Sequence, residues 1–174
     1  MYPSRNTVNL DILTRSYRIS CRVNVGATGL IGLLQDANKS VVDLEEAYYS
    51  RLQDPAKIVA HLPTAHMLKA NADLLLLARR EDLGPQGLSR GGYTRLLQVP
   101  VLITTPNFEI QGSLEVVTKF DASELLVGGT WHFINVYGAN ATPASDPATV
   151  FSGAVVLVNR AQIELIAPVV RAKA

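Results

Sequence analysis

Residues 10–78 and 101–167 of this chain carry apolar residues in the same order, and that repetition constrains the fold more than any other feature. Ile12, Thr14, Tyr17, Ile19 and Val25 fall opposite Ile103, Thr105, Phe108, Ile110 and Val116. Leu33 and Leu34 fall opposite Leu125 and Leu126, and Val42, Leu44 and Ala47 opposite Ile134, Val136 and Ala139. Asp54, Pro55 and Ala56 fall opposite Asp146, Pro147 and Ala148. After an insertion near His61 to His66, Leu68, Ala72, Leu74, Leu76, Leu77 and Ala78 fall opposite Leu157, Ala161, Ile163, Leu165, Ile166 and Ala167. Apolar matches that keep their order argue for duplication of one fold unit.

The clearest part of the second unit is Gly153 to Pro168. Val155 to Val158 and Ile163 to Ile166 are short aliphatic runs of the kind that suits a pleated, half-buried surface. Asn159, Arg160, Ala161 and Gln162 lie between them as a polar turn, since Asn tolerates tight-turn backbone. Pro168 ends the second run because it cannot donate to a ladder. Each unit opens with a strand, Leu10 to Thr14 or Val101 to Thr105, followed by a polar turn. Strict alternation then places Tyr17, Ile19, Cys21, Val23 and Val25 on one face, and Phe108, Ile110, Leu114 and Val116 likewise. Gly112 interrupts the second row and marks a bulge.

Paired leucines at Thr28–Leu34 and Ala122–Leu126 read as short helical turns. Ser123 is placed to cap the second, and Gly128-Gly129 to stop it. Strands follow at Val41–Tyr49 and Trp131–Ala139. The first of these, and the run Met67–Ala78, would suit a helix by local composition and are read as strands because of the repetition. The expected organisation is a first unit over 1–78, a linker over 79–100, and a second unit over 101–174. Glycines 84, 87, 91 and 92 with Pro85 argue against a regular element in the linker before Tyr93. The tail from Val169 is expected to fray.

Of the 174 residues 48% are hydrophobic and 18% charged, enough for a core and unlike a disordered chain. A net charge of +1 argues against a general nucleic-acid binder. A single cysteine excludes an internal disulfide framework and a multi-cysteine metal site, and fits a reducing compartment. There is no apolar run long enough to span a membrane, and the first 17 residues lack a signal-peptide core, so a cytoplasmic location is the expectation.

On the strand His132-Phe133-Ile134-Asn135-Val136 and the closing run Val156 to Ile163, the second unit resembles small bacterial β-barrel domains of uncharacterised function. The strand, polar turn and strand also look like the end of an Sm-like barrel, a resemblance that would imply ring assembly and RNA bound at the polar turn. The first unit departs from it, with Ala70-Asn71-Ala72 and no following arginine, and the near-neutral charge departs from it too.

No catalytic constellation stands out. His61 and His66 lack the spacing of a helical metal pair, and His132 fits a barrel rim. Cys21 falls on an apolar face, where a free cysteine behaves as a small hydrophobe. The glycines of the linker lack the setting of a phosphate loop, and adjacent Glu45-Glu46 and Glu81-Asp82 point apart. Arg79, Arg80, Arg90 and Arg95, with Tyr93 among them, could grip a phosphate or an acidic surface, or could be a solvated connector. Trp131 suits an interface anchor or a core position. Together with Asn159 and Arg160 these are the candidate partner-binding residues.

The expected fold is all-β: two duplicated small antiparallel β-barrels, SH3-like or Sm-like, each with a short helical turn, with a shared sandwich as the alternative. The expected function is a non-catalytic protein-binding or assembly module, working with a protein partner or as a homo-oligomer, without cofactor or metal. The runner-up is nucleic-acid or nucleotide binding through the Asn159-Arg160 turn and the linker arginines. An enzyme comes third.

Overall fold

The computed structural model describes residues 7–88, 95–129 and 131–170. The first half contains β1 (Thr7–Leu13), β2 (Tyr17–Asn24), α1 (Gly29–Gln35), β3 (Val41–Arg51), β4 (Asp54–Leu68), a 3-10 turn at Lys69–Asn71, and β5 (Leu74–Leu77). A 3-10 turn at Arg80–Leu83 and α2 (Pro85–Leu88) follow. The second half contains β6 (Leu97–Thr104), β7 (Phe108–Val116), α3 (Ala122–Leu126), β8 (Phe133–Pro143), β9 (Phe151–Asn159), a 3-10 turn at Arg160–Gln162, and β10 (Leu165–Pro168).

The fold is all-β, as expected. Its strands form one open antiparallel sheet in the order β10-β6-β7-β8-β9-β5-β1-β2-β3-β4. The first half contributes the order β5-β1-β2-β3-β4 and the second β10-β6-β7-β8-β9. The pairings close neither half into a barrel. The reason lies at β5, whose two edges are taken by β1 and by β9 of the other half, with Leu74 opposite Val158 and Leu77 opposite Val155.

Local chemistry sets the hairpins. The Thr14 hydroxyl accepts from the Ser16 and Tyr17 amides, and the Thr105 hydroxyl from the Asn107 and Phe108 amides, so each half turns from its first strand to its second on a threonine. In β2, Cys21 and Val23 are buried while Arg22 and Asn24 are exposed; in β7, Phe108, Ile110 and Leu114 are buried. The register between β7 and β8 shifts between Gln111 and Ser113, at the expected Gly112 bulge. A Cβ there would stand 2.7 Å from Val136 Cγ1, so glycine is needed for the close approach.

Two buried clusters lie on either side of β5 and β9. Leu75, Leu77, Val155 and Leu157 join β1–β3 and α1 in one; Leu74, Leu76, Val156 and Val158 join β6–β8 in the other. All eight of these side chains are buried. A strand buried on both faces needs no polar alternation, which is why Leu74–Leu77 carries no two-residue period. Each such side chain contributes about 1.5–3 kcal/mol by leaving water.

Several local expectations are corrected. Asp121, not Ser123, caps α3, its side chain accepting from the Glu124 amide at 3.1 Å; Ser123 already lies inside the helix and cannot precede it. The linker holds regular structure, because its glycines permit close packing: Gly84, at φ +84°, lies against Gly29 of α1, and Leu83 beside it is fully buried. There is no insertion at His61–His66, which lie within the continuous 15-residue β4. Asp54-Pro55 opens β4 and Asp146-Pro147 lies in the loop after β8, each pair starting three residues past the end of the 11-residue strand before it. Leu74 faces Leu13 and Leu165 faces Thr104, so Leu74 holds the place of Leu165 rather than Ile163. That shift of two also gives Lys69 the place of Arg160.

Candidate functional site

The expected partner-binding residues fall into separate groups. Arg80, Trp131 and Arg160 line a cavity of about 620 Å³ between β7, β8, α2 and α3. Asn159 lies away from it, buried where β9 meets the first half. Arg79 pairs with Asp82 on the surface, and Arg95 is exposed. Arg90 and Tyr93 lie outside the described residues.

The cavity's arginines are already engaged. Arg80 forks onto Glu115, with Nη1 donating to Oε1 at 2.6 Å, and its guanidinium lies 4.5 Å over the Tyr137 ring. Glu115 also accepts from Gln98 at 2.8 Å. Arg160 Nη1 donates to the Gly128 carbonyl at 2.7 Å, just past the end of α3. Lys69, in the corresponding place, donates to the Leu33 and Asp36 carbonyls at the end of α1. Burial lowers the Lys69 pKa, with Asp36 opposing that shift. Each cation therefore closes off carbonyls at the C-terminal end of a short helix or just beyond it. Lys119, Asp121 and Glu124 add both signs of charge to the cavity wall, which gives it no single-sign field for an anion.

Among the described residues no group of three or more His, Cys, Asp or Glu side chains could hold a metal ion, and no helix is long and apolar enough to cross a membrane. His61 and His66 face Glu46 and Asp43, each at 2.7 Å across the β3–β4 pair. Burial, aided by the Asp11 charge, pushes the Cys21 thiol up to about 12, so it stays protonated and unreactive at neutral pH.

Among the described residues the sheet has two open ends. β4 is one, and Ile58, Val59 and Leu62 on it are exposed. β10 is the other, with Leu165 exposed at 48%. Sequence reading missed β4 as an edge, although Pro55, Lys57 and Pro63 within it are residues of the kind an edge strand carries. Asp73, just before β5, is a buried carboxylate that accepts from Asn107 Nδ2 at 2.7 Å.

No family model, no curated protein and no solved structure matches this chain.

Proposed function

We propose that this chain is a non-catalytic assembly subunit, built from two copies of one five-stranded unit, that associates with further copies of itself through its free sheet edges. The observation that carries the reading is the pair of open ends, β4 and β10, each with apolar side chains in water. An edge strand presents unpaired N–H and C=O groups, and pairing with another chain satisfies them while covering Ile58, Val59 and Leu165. The duplication is supported by the matching strand orders and by matching bonds: Lys69 N to the Ser40 carbonyl and Arg160 N to the His132 carbonyl, both 2.9 Å. The nucleic-acid reading has less support, since Arg80 and Arg160 spend donors on Glu115 and on the Gly128 carbonyl.

Light scattering across a range of concentrations, in low and high salt, tests the reading. A mass several times that of one chain, little changed by salt, is the expected result, because main-chain and apolar contacts are weakly screened. A monomer under every condition overturns it.

A further inference from the structure

We infer that copies of this chain join head to tail, β10 of one against β4 of the next, in the register that β5 and β9 use inside each chain. The inference rests on the self-association proposed above and names which edge meets which.

β5 and β10 hold one place in their halves. Each pairs antiparallel with the first strand, and the residue before each donates to that strand: Asp73 N to the Leu13 carbonyl at 3.0 Å, Glu164 N to the Thr104 carbonyl at 2.9 Å. β4 and β9 hold another place. Met67 faces Val42, and Val158 faces Ile134, each just before a 3-10 turn that begins with a cation. The junction inside the chain joins one strand of each kind, β5 with β9. The strands left open are again one of each kind, β10 and β4. The same surface relationship that joins the halves is thus available between copies.

Carrying the register over places Leu165 opposite Met67, Ile166 opposite His66, Ala167 opposite Ala65 and Pro168 opposite Thr64. Inside the chain the Asn159 amide donates to the Asp73 carbonyl at 2.9 Å, and between copies the Leu68 amide would donate to the Glu164 carbonyl. The outer junction is the weaker one. Pro168 brings no N–H to it, and Thr64 and His66 stand where the inner junction has Val155 and Leu157. Association between copies is therefore reversible where the inner seam is permanent. A head-to-tail contact of this kind closes into a ring or runs on as a filament, according to its rotation.

Disulfide trapping tests the pairing. In a Cys21→Ala background, Met67→Cys and Leu165→Cys are made in separate chains of distinguishable size, and melting curves confirm that each variant folds. The 67/165 pair corresponds to a closely spaced, non-hydrogen-bonded pair, whose Cβ atoms suit a disulfide. Mild oxidation of the mixture is expected to link Met67→Cys chains to Leu165→Cys chains and to leave each variant alone unlinked. Links between two Met67→Cys chains, or no links while the mass remains multimeric, overturn head-to-tail pairing and leave self-association standing. A monomeric mass removes both.

Discussion

The Asn159 side-chain amide donates to the Ala72 carbonyl at 2.9 Å and to the Ala70 carbonyl at 3.3 Å, tying the end of β9 to the turn before β5. Its Oδ1 accepts from the Ala161 amide at 3.1 Å, so one buried side chain holds its own turn and the opposite one. The residue that sequence reading offered to a partner is spent on the seam between the halves.

Asn159→Ala leaves those carbonyls without that donor at the seam, the Ala72 bond being buried. The expected loss is about 1–3 kcal/mol. Urea unfolding measures it, with Asn140→Ala as the control, since Asn140 is exposed and accepts from the Ser152 hydroxyl at the surface. Equal losses for the two variants would show that the seam bonds carry no special weight.

Asp73 gives a pH signature. Burial raises its pKa above the ordinary 3.8, while the hydrogen bond from Asn107 pulls it down. A raised folded value means that the folded state keeps the proton longer than the unfolded chain does. The contribution is then complete below about pH 3.8 and is lost as pH rises through the folded value. Asp73→Asn removes that slope, so the variant gains on the wild type as pH rises from 3.8, and the gap then levels off. Urea midpoints that stay parallel from pH 3.5 to pH 7 (conditions spanning roughly the ordinary carboxyl value and neutrality) would contradict this.

Gly84→Ala adds a Cβ that would stand 2.7 Å from the Gly29 Cα, at a backbone φ of +84°. A clash with backbone is costlier than the left-handed conformation alone. Gly26→Ala, at φ +61° with nothing within 4 Å, supplies the comparison. Expected losses are about 1–3 kcal/mol for Gly84 and about 1 kcal/mol for Gly26. Thermal melting should rank them in that order.

Arg80 should not be replaceable by lysine. Its fork meets both Glu115 oxygens, and the Glu115 side chain is only 8% exposed. A lysine brings a point charge and neither the fork nor the flat face over Tyr137. Arg80→Ala and Arg80→Lys are both expected to destabilise, by about 1–3 kcal/mol, since hydrogen bonds to charged groups lie in that range. A lysine variant as stable as wild type in urea would sink the argument.

Much of the sheet was legible because its strands speak locally. The alternation in β2 and β7, the threonine turns and the Gly112 bulge all follow from side-chain sequence within a few residues. The site was far less legible. Arg160 and Trp131 do share a cavity with Arg80, but that gathering depends on folds of chain tens of residues apart. What an arginine does is decided by what stands beside it, and Glu115 lies 35 residues from Arg80.

The amino-acid order by itself determined that this chain is all-β and where most of its strands run, because period, turn residues and β-branched runs act over short range. Only the tertiary structure decided that Leu74–Leu77 pairs with Val155–Val158. Continuous apolar runs announce burial on both faces and carry no period to name a partner. The choice is made when both cores close around the two strands together, and it leaves β4 and β10 as the open ends.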